Sequence, residues 1–457
     1  MATVSPPINS LKPVSAAPQP PGLPLLGQSL NMLTDPVRYL TDQYQQYGSV
    51  FRVKLGATHY VILAGTEANH LLAREDGQSF TSDMVFEEFG RVTGTDIFIV
   101  AIDGPDHKHM RRLMRAGYSR STIVPHLPAV VSLAQEHVGD WQNQPAVPLL
   151  YSMRRLVADQ MGIIATNRRP GEYFDDLLYF VNTMLLTTVS KSQPAWLRQL
   201  PRFRRVEKRL YQLSDEVVLW HRQNPPDATG RPRDIIDDIL ASTRPDGQPF
   251  TPENLRDITI GPYFAGMDTL ASTLGFFLYA LLTHPDILKA AQQEVDALFA
   301  NGTPTLQDFR KLELLHAAAM ETLRRYPVTP FTPRQAVTPF TFDGYQIPAG
   351  QAVMFAQTVT HFSPEYYPDP YKFDPTRFMG ENKARIGGNV FVPFTVGAHA
   401  CLGAGLAEVQ LLITMATMLH TGDYELANPN ERLVLYSQPA INPGNRIKVR
   451  VKARRHD

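Results

Sequence analysis

The chain has 457 residues, 43% of them hydrophobic, and its 44 Lys+Arg balance 44 Asp+Glu. That supplies a sizeable core in one large domain or a few ordinary ones, and a formal net charge of zero argues against nucleic-acid binding driven by bulk charge. One cysteine excludes an internal disulfide and a Cys-rich zinc site, and no uninterrupted apolar run reaches the roughly 20 residues that span a bilayer.

Taken in order, residues 1–20 are rich in proline and lack the basic start and apolar core of a signal peptide. They read as a flexible Pro-rich arm ahead of a single domain over 21–457, cytoplasmic and without a membrane anchor. "VFRVKLGATHYVILA" over 50–64 alternates and is β-branched, with Gly56 at its turn, which predicts a hairpin. "TEANHLLARED", "PDHKHMRRLMRAGYS" and "RRVEKRLYQLSDEVVLWHRQN" are helical in pattern. Thr251 followed by Pro252 predicts a helix start, and the pattern runs to about Thr283, long enough to cross a whole domain. It carries oddities for a helix interior: Gly261, Pro262, Gly266 and Thr269. "PDILKAAQQEVDALFA" and a single run "DFRKLELLHAAAMETLRRYP" follow as helices. Strand-like text over 338–354 turns at Asp343-Gly344. The Pro- and aromatic-rich 361–378 is neither regular helix nor disordered, and a last helix after Cys401 runs to about His420. The fold class is mainly α, with a smaller β portion near the N-terminal half.

The lone Cys401 stands in "PFTVGAHACLGAGLAEVQ", with Gly397, Gly403 and Gly405 around it. Glycines let backbone lie flat against a large rigid ligand. The helix that begins after Cys401 offers free N–H groups and its dipole, which favour a thiolate. A thiolate with no second cysteine suits a single metal bond, as in haem-thiolate ligation.

Phe394, Gly397, His399, Cys401, Gly403, Leu406 and Ala407 match, without a gap, the cytochrome P450 signature F-x-x-G-x-H-x-C-x-G-x-x-L-A. The resemblance runs from about Pro21 to the C-terminus. It implies a cytochrome P450 fold of soluble bacterial type, heme b with Cys401 as its iron ligand, and Phe394 packed on the thiolate side. Three further segments resemble the family. "ETLRR" supplies an E-x-x-R pair, Glu321 and Arg324, for which "DPTRF" offers Arg377 as third member of a structural triad. "FAGMDT" looks like the oxygen-activation stretch: Ala265 and Gly266 beside the cofactor, Asp268 and Thr269 as catalytic residues in proton delivery. A mid-helix Thr also bonds back four residues, here to Ala265. "DGPDHKHMRRLMRAGYS" resembles the helix whose His107 and Arg111 partner the haem propionates, with Arg334 and His399 as further partners. By similarity the substrate pocket is lined by Phe86, Phe89, Ile97, Phe98, Met184, Phe264, Val328, Phe331 and Ile441, an apolar and mostly uncharged set that suits a lipophilic small molecule.

The resemblance thus implies a monooxygenase that hydroxylates or epoxidises such a substrate. A monomer is expected, with electrons from a separate ferredoxin or flavodoxin and its reductase. Lys108, Arg111, Arg112 and Arg115 are a basic set that can steer an acidic donor. Two rivals keep the haem: a peroxide-driven peroxygenase and a non-catalytic haem-thiolate sensor. A cysteine hydrolase using Cys401 and His399 has unpromising geometry at i, i+2.

Overall fold

The computed structural model describes residues 11–300, 302–384 and 386–456. The elements that frame the site are, in chain order, β1 (Val50–Leu55), β2 (Thr58–Ala64), β3 (Phe80–Thr81), α1 (Asp83–Thr93), α2 (Gly104–Met114), α3 (Leu149–Thr166), α4 (Pro252–Leu282), α5 (Glu313–Arg325), β4 (Thr332–Ala336), β5 (Ala352–Ala356) and α6 (Ala404–Thr421). The five strands form one sheet in the order β1-β2-β5-β4-β3, antiparallel except for the β2–β5 pair. β5 is central and buried throughout, which accounts for its unbroken apolar text AVMFA. The expected hairpin is β1–β2, with Gly56 at φ +59° in its turn. The sheet is not confined to the N-terminal half, however, because β4 and β5 come from beyond residue 330.

Part of the expected Pro-rich arm, residues 1–10, lies outside the described residues. From Lys12 the chain is not loose: Lys12–Pro13 pair in parallel with Tyr345–Gln346, and Ala17 is buried. Proline is tolerated there because the strand is at a sheet edge. The run expected as one helix over 308–326 is two, Leu306–Phe309 and α5. Glu294 accepts hydrogen bonds from the N–H groups of Leu314 and Leu315, which fixes a new helix start.

α4 crosses the molecule. Thr251 and Asn254 exchange hydrogen bonds as a capping box, and the helix runs 31 residues through Pro262 without a break. It packs most extensively on α3. Being apolar on nearly every side it is buried, as a helix with no polar face must be. Among the described residues it alone has the length and hydropathy to cross a bilayer.

α5 carries the deepest charges. Arg324 and Glu321 are both fully buried and meet in a two-pronged pair at 2.7 and 2.8 Å. The remaining guanidinium donors reach the carbonyls of His361 and Pro370, each at 2.7 Å, and Lys372 at 3.3 Å. Glu321 also accepts from the Asp374 N–H at 2.9 Å and lies 3.5 Å from Arg377. One ion pair thus pins the irregular 361–378 segment, which has little secondary structure to hold it.

Removing either partner leaves an uncompensated buried charge, at a cost of about 3–5 kcal/mol against a typical total stability of about 5–15 kcal/mol. Glu321→Ala and Arg324→Ala are therefore expected to give little soluble haem-containing protein. Normal haem content and near-native melting in both would show that the pair is dispensable. His361, whose carbonyl serves Arg324, is fully buried, and its Nε2 accepts the Val392 N–H at 3.0 Å. Burial, then the Arg324 charge, pushes its imidazole down to about 3. The unfolded chain binds that proton near pH 6.5, so this contribution to stability is complete above about 6.5 and is lost as pH falls toward 3. Denaturation midpoints measured across that window should fall less steeply in His361→Gln than in the unaltered protein; equal slopes would contradict the assignment.

Candidate active site

The cysteine loop is built by close approach. Gly397 sits at φ +92°, and a Cβ there would lie 2.6 Å from that of Asp76 and 2.8 Å from the Leu72 carbonyl. At Gly405 a Cβ would come within 2.9 Å of Arg120. These two glycines therefore admit protein neighbours rather than a flat ligand; a Cβ at Gly403 would make only ordinary contact, with Tyr118 at 3.6 Å. The Cys401 N–H donates to the Phe394 carbonyl at 3.0 Å, which closes the loop. From Pro393 to Gly405 no residue is fully buried, although Val392 and Leu406 on either side are. The loop fronts open space inside the protein.

Cys401 is itself exposed, yet burial among the surrounding atoms raises its thiol. A group that is both accessible and enclosed lies in a recess. The Gly403 N–H and the Arg111 charge pull the other way, so the thiolate expected from the helix start has its donors in place but needs a cation to settle it.

On α4, Ala265 is exposed and Thr269 part-exposed on an otherwise buried helix. The Thr269 hydroxyl donates to the Ala265 carbonyl at 2.8 Å, as the sequence predicts. Phe264 and Leu402, the neighbours of Ala265 and Cys401, pack against the same core. A Cβ at Gly266 would make ordinary contact with the Met161 side chain of α3, at 3.4 Å. Asp268 is buried, and its Oδ1 lies 2.6 Å from Arg154 Nη2 on α3. Arg154 is thus the charged partner of this buried carboxylate. Burial raises the Asp268 carboxyl and Arg154 opposes the rise.

The expected propionate partners differ in how far their donors are already engaged. Arg334 is buried in an ion pair with Asp76 at 2.7 Å. Asp76 also accepts the His399 backbone N–H at 2.9 Å, and the His399 ring is 2.7 Å from Asp103. His107 stacks on His399 with ring centres 4.2 Å apart. Its buried Nε2 has no partner, and burial, His399 and Arg111 hold the ring down to about 4. Arg111 reaches the Ala400 carbonyl at 2.6 Å with one of its five donors. His107, Arg111, Gly397 and Ala398 line a recess of about 310 Å³. An accessible sulfur, an orphaned imidazole nitrogen and a half-buried guanidinium are the donor set that a dianionic haem requires, so the residues fit that group.

Four of the expected pocket residues form one aromatic cluster. Phe89 stacks on Phe98 at 4.1 Å and meets Phe264 edge-on at 4.7 Å, and Phe86 lies 6.0 Å from Phe98. Ile97 and Met184 are buried in the same core. The other three pack in different clusters: the Ile441 N–H donates to the Val328 carbonyl at 3.0 Å in the larger helical core, and Phe331 packs against the sheet. Sequence reasoning missed Asp76, Asp103 and Arg154. Only Arg154 left a local signal, because it stands at the i+4 position from Leu150 and three before Val157, on the buried stripe of α3.

A helical body with a five-stranded mixed sheet, a long core helix with an exposed alanine, and a glycine-flanked thiol whose neighbour packs on the same core as that helix define a haem-thiolate protein. The chain matches the Cytochrome P450 family over residues 18–447 and belongs to it: it is a haem-binding monooxygenase that takes electrons from a redox partner. It is 24% identical to the cyclooctat-9-en-7-ol 5-monooxygenase of Streptomyces melanosporofaciens, covering 89% of each chain. It is 27% identical to abscisic acid 8'-hydroxylase 4 of Arabidopsis thaliana, over 91% of this chain and 88% of that one. The structure of retinoic acid bound cyanobacterial CYP120A1 superposes with a TM-score of 0.82 at 24% identity, over 95% of this chain and 99% of that one.

Cys401→Ala removes the only cysteine. The ferrous carbonyl complex of the unaltered protein should show the red-shifted Soret band of thiolate ligation, and the variant should lose it. The same band in both would refute the ligand assignment.

Proposed function

We propose that the protein hydroxylates or epoxidises a lipophilic small molecule, with heme b as cofactor and electrons from a separate ferredoxin or flavodoxin and its reductase. The observation that carries this reading is the aromatic wall of Phe86, Phe89, Phe98 and Phe264, which begins one residue from Ala265. Such a wall holds an apolar substrate by burial and by ring contacts. Lys108, Arg112 and Arg115 are all exposed, at the i, i+4, i+7 spacing of one helix face, and they support an acidic electron donor.

Bound to Cys401, haem supplies the activation of dioxygen and the transfer of oxygen to carbon. The protein's part is to bind the substrate and to manage protons. His107 Nε2 and the unspent donors of Arg111 hold the carboxylates at the cofactor's edge. The aromatic wall excludes water from the substrate side. Thr269 Oγ1 gives its proton to the Ala265 carbonyl at rest and keeps its lone pairs for an incoming water. Rotation about Cβ–Oγ1 then turns the hydroxyl proton into the open space. Burial favours the protonated form of the Asp268 carboxyl, and the Arg154 guanidinium 2.6 Å away opposes it. Arg154 is accordingly a positioning residue that sets when Asp268 can pass a proton inward.

Thr269→Ala should bind haem and substrate normally, yet release more hydrogen peroxide and less product per reduced donor consumed. Asp268→Asn should slow turnover by roughly a hundredfold or more while coupling stays near that of the unaltered enzyme. Unchanged product per electron in Thr269→Ala would remove that hydroxyl from proton delivery. Turnover with peroxide but none with a reduced donor would overturn the oxygen-activating reading itself.

A further inference from the structure

α4 carries a second carboxyl for which the chemistry above has no use. Asp257, Ile260, Gly261 and Phe264 recur at the spacing that shares one helix face, and all four line one cavity with Phe89 and Phe180. Phe89 and Phe264 belong to the aromatic wall, so this cavity, of about 20 Å³ and sized for a single hydroxyl or ammonium group, adjoins the substrate side of the site. Two other charges border it, and both are occupied: Arg256 lies 3.5 Å from Glu253 and 3.9 Å from Asp215, with its guanidinium over the Tyr211 ring at 4.6 Å. Asp257 has neither a hydrogen bond nor an ion pair from any described side chain. Its surface is only partly covered, and its carboxyl is nonetheless pushed up to about 7 by burial alone. Such a group is accessible from the cavity it lines. An unpaired carboxyl in an apolar wall destabilises the folded protein, and one in a cleft is characteristic of a binding role.

We propose that Asp257 is a specificity-determining residue: it receives the hydrogen-bond-donating head, a protonated amine or a hydroxyl, of an elongated lipophilic substrate whose far end is oxidised beside Ala265 and Thr269. This rests on the lipophilic-substrate reading above and deepens it. The eight residues from Asp257 to Ala265 span roughly 12 Å of helix, which sets the distance between the anchored head and the oxidised carbon. The ionised carboxyl pairs with an ammonium, and in either state it accepts a hydroxyl proton, whereas a carboxylate head meets like charge. Asp257 is therefore a charge within a lining that similarity gives as apolar and mostly uncharged.

The test compares four probes of one chain length, N,N-dimethyldodecylamine, dodecanol, dodecane and dodecanoate, on the haem-loaded protein. Binding is read by the haem spin-state shift and by the ligand-induced rise in melting temperature. The unaltered protein should bind the amine and the alcohol roughly ten- to a hundredfold more tightly than dodecane, and dodecanoate most weakly. Asp257→Leu should erase the order while still binding dodecane. Asp257→Asn should keep the alcohol preference and lose that for the amine. Both variants should melt at or above the unaltered protein, since they remove an unpaired buried carboxyl. Equal affinities in the unaltered protein, or the original order surviving in Asp257→Leu, would overturn the role of Asp257 and leave the lipophilic reading standing. Binding of none of the four, dodecane included, would overturn both.

Discussion

Arg324 places a full positive charge where no water reaches it, and much of the neighbouring architecture answers that charge. Glu321 supplies the counter-ion, but one carboxylate cannot match five N–H donors. The chain is therefore drawn in as carbonyls from His361, Pro370 and Lys372. A segment without regular hydrogen bonding acquires a fixed course because the desolvated guanidinium tolerates no empty direction. The ring of Tyr367, 5.0 Å from that guanidinium, covers part of its remaining surface. His361 then carries the order onward, since its ring holds the Val392 N–H just ahead of the cysteine loop.

Asp76 performs the corresponding task at the other side of the loop. It neutralises Arg334, holds the His399 N–H and presses against Gly397. Asp103 fixes the ring on which His107 stacks. The cationic groups around the recess are thus oriented before any anion arrives, and little rearrangement remains to oppose cofactor binding. A half-paired network also keeps capacity: His107 has an unpartnered Nε2, and of five guanidinium donors Arg111 has spent one and Arg334 three.

What the sequence made legible was local. The signature loop, the Thr269 back-bond, the capping Thr251 and the β1–β2 hairpin each depend on residues within a few positions of one another, and spacing alone encodes them. What it hid was pairing at a distance. Asp76 and Arg334 are 258 residues apart, and nothing near either says that the arginine is already engaged. The break ahead of α5 escaped for the same reason, because Glu294 supplies the new cap from another helix.

The order of the main sheet bears on how the molecule comes into being. Its first two strands are complete by residue 64, yet the strand that pairs with β2 begins at Ala352. A ribosome must therefore finish some three-quarters of the chain before that ladder closes, and Cys401 emerges later still. During synthesis the early hairpin waits with one edge unpaired, an exposure that invites association with other chains. Closure of the sheet therefore waits on residues beyond Ala352, and the cysteine that is to hold the cofactor lies later still in the chain.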